Sequence, residues 1–356
     1  MKIVENKKVS HEVLTQFGCE VLDKTSMSKE DAQILVETLV EADLRGVHTH
    51  GMNIFPRYVR SFLQGIINPT PNIKLVRDEQ AISVIDADNG IGHVAMNYAV
   101  KKAAQNAADY GIGMTTVTNS NHFGAAAFYV TRLAEKGFIG YVVTNAPAIL
   151  PAFGGMVPVL GNNPFAYAIP TNGDPIVLDM ALSPVAVGKL RIMAQDDEEI
   201  PEGWALDKDG KPTNKAKEAI TGITLPIAGH KGYGISFINE ILAGALSGSK
   251  VSTEIPRSGF STHNPSSMDQ FGVGHTVIAI SVSSLIDKEI FFERVETLKN
   301  TVINSKKADS VEKIYVPGEI EFERLHERVK NGIPLSEEII QKLIQIGKEV
   351  EVPFPI

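Results

Sequence analysis

Cysteine is almost absent from this sequence, since Cys19 is the only one among 356 residues. A single thiol excludes an intramolecular disulfide and a thiolate metal cluster and favours a reducing setting, so we expect a cytoplasmic protein. The sequence also lacks any run of about 18 apolar residues, the length that a membrane-spanning helix needs. Its opening stretch, MKIVENKKVSHEVL, has no continuous apolar core of the kind found in signal peptides. We therefore expect neither membrane insertion nor secretion.

The sequence also lacks clusters of positive charge. Lys and Arg together number 34 against 42 Asp and Glu, which gives a net charge of -8, and no long basic run occurs. A nucleic-acid face needs positive surface against phosphate, so nucleic acid is not an expected partner. The content of 43% hydrophobic and 21% charged residues is that of an ordinary globular protein. Small molecules are the better partner class.

Two lobes are expected, because 356 residues exceed the usual size of one domain. Before residue 76 the pattern is helical, with Ser28 as a helix cap. From there to residue 285, β-rich runs such as AISVIDA and FIGYVVT alternate with alanine-rich helical stretches, which is typical of an α/β arrangement. Helical patterns then return. We predict an α/β (α+β) protein in which residues 1–75 and 286–356 form one helical lobe around a 76–285 α/β lobe.

A glycine motif, GIGHVA from Gly90 to Ala95, lies between a predicted strand and a predicted helix. It formally matches the dinucleotide-binding turn, whose glycines let a pyrophosphate approach a helix N-terminus. That interpretation also requires Asp or Glu at the end of the next strand, to hold the ribose hydroxyls. The next strand, IGMTTVT, is followed by Asn119 instead. A turn that leads into a packed helix is the favoured interpretation.

His122, in the stretch TNSNHFG, is the first candidate for chemistry. It follows an apolar strand and precedes an alanine-rich helix, and such junctions are where ligands bind in α/β proteins. An imidazole there can pass a proton to or from a substrate oxygen. The alternative is a histidine that caps the helix or is hydrogen-bonded in the core, and position alone does not decide between the two.

The stretch RGVHTHG contains His48 and His50, which are two residues apart. A zinc site is not favoured, because no Cys and no H-E-x-x-H partner lies nearby to complete a ligand set. No metal site is therefore predicted. A catalytic or substrate-contacting role for one of the two histidines is as well supported as a structural one.

Two further stretches carry charged candidates. Asp179 ends the apolar run IVLDMA, where its carboxylate could accept a histidine N–H or could cap a following helix. Lys231 lies in GHKGYG at the start of an apolar helical run. Backbone N–H groups and a lysine at a helix start favour a phosphate anion, whereas a solvated lysine in a glycine-rich loop is the plainer alternative.

Taken in order, these stretches resemble one family, the malate/L-lactate dehydrogenases that lack a Rossmann domain. Its members include ureidoglycolate dehydrogenase, diketogulonate reductase, sulfolactate dehydrogenase and cyclic imine reductases. The resemblance spans nearly the whole chain, through DLRGVHTHG, NSNHFG, GNNPFAYAIP, VLDMA, IPEGWALDKDGKPT, GHKGYG, VGH and YVPGE. Each stretch is weak alone, and their shared order is specific.

The resemblance implies an NAD(P)-dependent reductase of 2-oxo acids or imines that is a homodimer with its active site near the subunit boundary. It implies a largely antiparallel sheet for the cofactor, with NAD expected and NADP as the alternative. His50 and His122 would face the substrate beside Thr49 and Asn121, with Asp179 as an orienting partner. Segments that line the cofactor in relatives correspond here to Asn145, Asn163, Pro164, Asp179, Met180, Ala181, His230, Lys231, Gly232, Gly318 and Glu319.

Two positions depart from the family pattern. Thr49 stands where relatives have serine, which retains a hydroxyl. Ile54 stands where relatives have the arginine that clamps the substrate carboxylate, and isoleucine cannot replace a bidentate guanidinium. If NIFPRYVR begins a helix, Arg57 lies one turn beyond Ile54 on the same face and is a candidate replacement. His48 is the other candidate cation.

The resulting prediction is an enzyme that interconverts a small 2-hydroxy acid and a 2-oxo acid, with malate and oxaloacetate first and lactate-like acids next. His122 would take the alcohol proton, and the reductive rate is expected to fall above a pKa near neutrality. The alternatives are a ureidoglycolate, diketo-acid or cyclic imine enzyme of the same family, and a metabolite-binding protein without turnover. The presence of Ile54 in place of the family's arginine makes these alternatives more credible.

Overall fold

The computed structural model describes residues 7–185, 187–256 and 271–355. Its α-helices are α1 (His11–Leu22), α2 (Lys29–Leu44), α3 (Phe55–Leu63), α4 (Gly92–Tyr110), α5 (Ala126–Ala134), α6 (Val187–Gln195), α7 (Ala216–Thr221), α8 (His230–Glu240), α9 (Lys288–Ile303), α10 (Glu319–Asn331) and α11 (Glu337–Glu349). A π-helical turn, Ile241–Ala245, continues α8.

The strands are β1 (Lys7–Val9), β2 (Lys74–Glu79), β3 (Ile82–Asp86), β4 (Ile112–Ser120), β5 (Phe138–Thr144), β6 (Leu150–Pro151), β7 (Pro158–Leu160), β8 (Phe165–Ile169), β9 (Ile176–Met180), β10 (Ala205–Leu206), β11 (Pro212–Thr213), β12 (Ile223–Thr224), β13 (Val273–Ser281) and β14 (Ile333–Leu335). Seven of them form one sheet in the order β2-β3-β4-β13-β5-β8-β9. Within that sheet β3 and β4 pair in parallel and the other neighbours are antiparallel. The prediction of a mixed fold with a largely antiparallel sheet is confirmed.

The two ends of the chain meet in one helical layer. Ser28 caps α2 as expected, because its hydroxyl accepts the N–H of Asp31 at 3.1 Å. Leu35 and Leu39 of that helix share a buried cluster with Leu343 of α11. The pairing of β1 with β14 adds an antiparallel link between the termini. The lobe boundaries at residues 75 and 286 stay a prediction.

The glycine motif serves protein packing. Gly92 begins α4, and a Cβ on it would lie 2.2 Å from the backbone oxygen of Asn121. The Asn121 side chain in turn donates to the backbone oxygens of Asn89 and Gly90, both at 2.9 Å. The absence of a side chain thus lets the start of α4 approach the segment that carries His122, as the packed-helix interpretation requires.

The turn after β4 places His122 just beyond the end of an interior strand of the sheet. β4 ends at Ser120, and α5 begins at Ala126 with Gly124 in between at a φ of 79°. Glycine adopts this left-handed backbone without strain, so Gly124 allows the tight turn from β4 into α5. Among the described residues no helix is long and apolar enough to cross a membrane.

Candidate active site

A cavity of about 650 Å³ opens beside this turn. Its lining includes His50 and His122 together with Asn145, Asn162, Pro164 and Thr224. Several aliphatic side chains and prolines complete the lining. None of the described residues that line it is Asp, Glu, Lys or Arg. The cavity is therefore a neutral, partly apolar space with a small number of polar groups, as small-molecule sites commonly are.

His122 is held from behind by Tyr58, a residue that sequence reasoning missed. Tyr58 lies on α3, is 2% exposed, and its hydroxyl is 2.5 Å from His122 Nδ1. The backbone N–H of Gly124 also points at Nδ1, at 3.3 Å. An N–H can only donate, so Nδ1 is the accepting nitrogen and the neutral ring carries its proton on Nε2.

His50 lies against His122. Their rings are stacked with centroids 5.5 Å apart, and His50 Nδ1 is 3.0 Å from the hydroxyl of Thr49. Burial lowers the pKa of His50. The structure thus brings together the two histidines that sequence reasoning placed on the substrate side, with Thr49 beside them.

The pKa of His122 differs from the value near neutrality that its position suggested. Burial lowers it well below 6.5, and the neighbouring His50, His93, Arg57 and His275 lower it further. Desolvation disfavours the charged imidazole, and nearby positive charge adds to the cost. Without substrate, His122 is therefore neutral at neutral pH.

Two more histidines surround the pair, and sequence reasoning assigned neither of them a role. His275 on β13 contacts Thr144 Oγ1 at 2.7 Å and Ser120 Oγ at 2.9 Å. His93 on α4 is 0% exposed, and among the described residues neither of its ring nitrogens has a hydrogen-bond partner. Burial lowers the pKa of both to about 3. The only signals were their places in GIGHVA and VGH.

Arg57 and His48, the two candidate cations, occupy different surroundings. Arg57 is on α3, where Pro56 lies in the first turn as expected, and its charge is close enough to lower the pKa of His122. His48, like Arg57, is outside the cavity lining, with Nδ1 2.6 Å from Asp43 and Nε2 3.2 Å from Arg328. Both ring nitrogens of His48 are engaged by protein.

Asp179 does not line the cavity. Its Oδ2 accepts the N–H of Ala127 at 2.8 Å, in the first turn of α5, a helix that precedes Asp179 in the chain, whereas the helix-capping alternative expected a following helix. Although the residue is exposed on one side, protein atoms crowd its carboxyl group, and this loss of water raises its pKa to about 6. Asn121 is fully buried and its amide N–H groups hold the Asn89 turn, so its role here is in the scaffold.

The predicted cofactor residues divide into two groups. Asn145 and Pro164 line the cavity. The Asn145 amide is engaged by Glu240 and by the backbone of Lys250, and the Asn163 amide donates to Glu240 and Ser236. Both amides therefore hold the surrounding loops in place. The neighbouring Asn162, which sequence reasoning passed over, also lines the cavity.

The remaining predicted cofactor residues lie outside the lining of this cavity. His230 and Lys231 are exposed at the start of α8, where a Cβ on Gly232 would meet the backbone of Ile227 at 1.9 Å. Gly318 begins the turn into α10 and approaches β9 closely. The others are Met180, Ala181 and Glu319.

Comparison with known proteins agrees with the geometry. Residues 9–344 match the family model described as malate/L-lactate dehydrogenase. The chain is 36% identical to malate dehydrogenase of Pyrococcus abyssi, over 97% of this chain and 95% of that protein. It is 37% identical to L-sulfolactate dehydrogenase of Methanocaldococcus jannaschii, over 98% and 97%. The solved sulfolactate dehydrogenase from M. jannaschii superposes with a TM-score of 0.92 at 35% identity, covering 98% of each chain.

The buried histidines predict a loss of stability in acid. A histidine with a lowered pKa in the folded state binds its proton in the unfolded chain first, so stability is complete above about pH 6.5 and falls as the pH drops below it. His93 and His275, with pKa values of about 3, should each cost about 1.4 kcal/mol per pH unit in that window. Denaturant unfolding between about pH 7.5 and 5 measures this.

His93→Phe is the matched variant. It keeps the ring and removes two buried nitrogens without described partners, so stability at pH 7 should hold or rise. Below about pH 6.5, the free energy of unfolding of this variant should fall less steeply than that of the wild type, by about 1.4 kcal/mol per pH unit. An acid dependence identical to that of the wild type would contradict the assignment.

Proposed function

The chain belongs to the malate/L-lactate dehydrogenase family, and we propose that it is a nicotinamide-dependent dehydrogenase that interconverts a small 2-hydroxy acid and its 2-oxo acid. Malate and oxaloacetate are the first candidate pair. One observation carries the proposal, namely that His122 lines a cavity without described charged side chains, is stacked on His50 and is held at Nδ1 by Tyr58. We assign Nε2, the nitrogen on the other side of the ring from Tyr58, to the substrate oxygen.

The cavity residues fit a nicotinamide group. Amide and hydroxyl side chains such as Asn162 and Thr224 can bind its carboxamide, and prolines with aliphatic side chains can cover its ring. No acidic side chain among the described lining opposes the negative charge of a dinucleotide. When bound, the group accepts the hydride from C2 of the hydroxy acid or returns it to the oxo acid. NAD is the proposed cofactor, with NADP as the alternative to be tested.

His122 has the partners that proton transfer requires. In oxidation the neutral ring must carry its proton on Nδ1, donated to the Tyr58 hydroxyl, so that Nε2 can take the hydroxyl proton of the substrate. In reduction the protonated ring returns the Nε2 proton to the new alkoxide oxygen. The carboxylate of a bound substrate adds negative charge beside the ring, which raises the pKa of His122 and favours the protonated form that reduction consumes. A phenol hydroxyl both donates and accepts, so Tyr58 can stay bonded to Nδ1 in either state.

His50 is proposed to contact the same substrate. Its ring is stacked on that of His122, so the two cannot both become charged at low cost. One proton shared within the pair leaves the other imidazole free to donate a hydrogen bond to the carbonyl oxygen or to hold the carboxylate.

Arg57 is proposed as the substrate's carboxylate-binding cation. Ile54 packs against the buried cluster of the helical layer, whereas Arg57 is only partly buried and acts electrostatically on His122. A guanidinium in this position would bind the acid group of the substrate and orient C2.

A homodimer is also proposed. Ile235, Phe237, Ile238 and Ile241, on α8 and the turn after it, are between 44% and 53% exposed. Large apolar side chains grouped on one helix commonly mark a protein interface, and a second copy of the chain is the occupant that the family resemblance implies. The cytoplasmic setting that the single Cys19 suggests stays a prediction.

A substrate panel tests the proposed function. Oxaloacetate, pyruvate, sulfopyruvate, a diketo acid and a cyclic imine, with ureidoglycolate in the oxidative direction, would be followed through the absorbance of reduced NAD and NADP. We expect the highest kcat/KM with oxaloacetate. Turnover restricted to ureidoglycolate, the diketo acid or the imine would favour the alternative that Ile54 raises. Binding of NADH with no turnover of any substrate would favour a metabolite-binding protein.

His122→Asn should lower kcat by about 10²- to 10⁴-fold on the preferred substrate, because the proton donor is lost while the cavity keeps its shape. His326→Asn is the control, since this histidine lies on the surface of α10 and pairs with Asp174. Full turnover of His122→Asn would refute the assignment and make His50 the leading acid.

Arg57→Ala should raise the KM for the oxo acid by about 10- to 100-fold, the usual range for a hydrogen bond to a charged group. Arg57→Lys should give an intermediate value, because a lysine keeps the charge and loses the planar fork. Arg60→Ala is the control on the same helix, since Arg60 is paired with Glu349. An unchanged KM in Arg57→Ala would end the arginine proposal.

Light scattering after size exclusion tests the dimer. The wild type should have twice the chain mass of 38.6 kDa, and Ile238→Asp should shift the equilibrium towards that single-chain mass, because a buried unpaired carboxylate opposes association. A wild-type mass of one chain at micromolar concentration would contradict the dimer proposal.

A further inference from the structure

Asp43 is a carboxylate buried where a negative charge is unfavourable. It lies in the last turn of α2, close to the negative end of the helix dipole, and its residue is 0% exposed. Both of its carboxylate oxygens are engaged by the next segment of the chain, residues 48–52. That segment carries Thr49 and His50 to the cavity.

Two contacts fix the segment on either side of His50. Asp43 Oδ1 is 2.6 Å from His48 Nδ1, and Asp43 Oδ2 accepts the N–H of Met52 at 2.7 Å. Gly51 lies between them, and a Cβ there would be 2.2 Å from the Asp43 carboxyl carbon. The carboxylate thus occupies the space that any larger residue at position 51 would need.

Arg328 determines which nitrogen of His48 carries the proton. Its Nη1 lies 3.2 Å from His48 Nε2 and also donates to the backbone oxygen of Asp43. A guanidinium can only donate, so Nε2 accepts and the proton is on Nδ1, where it is donated to Asp43. Arg328 on α10 thus contacts both His48 and the backbone of Asp43, next to the segment that carries His50.

We propose that Asp43, His48 and Arg328 are positioning residues that fix His50 at the cavity for the reaction. This rests on the proposed function of His50. Because the chain is held at His48 and at Met52, the ring of His50 between them stays against His122. A misplacement of about 1 Å in such a site can lower a rate by about 100-fold. His48 is by this account part of the support and does not contact the substrate.

Asn cannot replace Asp43, because its side chain has one accepting atom. If the amide oxygen faces Met52, the amide N–H faces Nδ1 of His48. His48 must then carry its proton on Nε2, where this N–H would face the N–H groups of Arg328. If the amide is turned the other way, its N–H opposes the N–H of Met52. The first conflict disappears when the guanidinium is removed, and the second does not.

The experiment is a double-mutant cycle with Asp43→Asn and Arg328→Met. Asp43→Asn should lower kcat by about 10- to 100-fold with the KM for NADH unchanged, and Arg328→Met should cost less. The double variant should recover about tenfold over Asp43→Asn, because His48 can then carry its proton on Nε2. Arg324→Met, which removes an exposed positive charge one turn earlier on α10, is the control and should leave kcat unchanged.

The same cycle in a His50→Gln background separates this proposal from the proposed function. His50→Gln alone should lower kcat, and adding Asp43→Asn should then cost no more than about twofold further, since its effect passes through His50. Full activity of His50→Gln would overturn the proposed role of His50. An impaired His50→Gln with simply multiplied losses, or no recovery in the double variant, would overturn the positioning role.

A second pair of variants covers the case in which Asp43→Asn does not fold. His48→Phe keeps a ring and loses the contact to Asp43, so its kcat should fall. His48→Asn presents an amide N–H to the carboxylate and should restore most of that loss. Equal kcat values for wild type, His48→Phe and His48→Asn would overturn the proposal.

Discussion

The constraint on which this site depends is that several imidazoles share one desolvated space in which none of their described hydrogen-bond partners is a carboxylate. Hydroxyl groups are their partners, with Tyr58 on His122, Thr49 on His50, and Thr144 with Ser120 on His275. A hydroxyl satisfies a neutral ring and does little to stabilise a charged one. The site is therefore neutral until a ligand brings charge to it, and an anionic substrate is the ligand that such a site favours most.

Acidic side chains have a separate place, behind the loops that form the cavity. Asp43 holds the segment that carries His50, and Glu240 accepts from Asn145, Asn163 and the backbone of Ser252. Each carboxylate is buried and receives several N–H groups from the chain it supports. Loops with unpaired backbone donors would be costly to bury, so these acids make the close approach of the loops possible.

Sequence order was sufficient to predict the family and the largely antiparallel sheet, because eight short stretches recur in a fixed succession. It also indicated that Gly90 and Gly92 were poor evidence for a pyrophosphate, and Gly92 in fact contacts the backbone of Asn121. Tyr58 and His93 were out of reach, since their contacts with His122 join segments far apart in the chain. Asn145 and Asn163 were predicted as cofactor residues from their place in the sequence. The direction of each amide side chain depends on Glu240, and no local sequence pattern reveals that contact.

The placement of charge bears directly on what the cavity can bind. With Asp43 and Glu240 engaged by N–H donors outside the lining, and with Arg57 acting on His122 from α3, the field at the imidazoles is neutral to positive. A carboxylate that enters this field is stabilised by the positive charge, and its own charge then raises the pKa of the imidazole beside it. Binding and proton availability are thus coupled. An uncharged substrate would receive neither benefit, and for this reason a 2-oxo acid suits the site better than a neutral ketone.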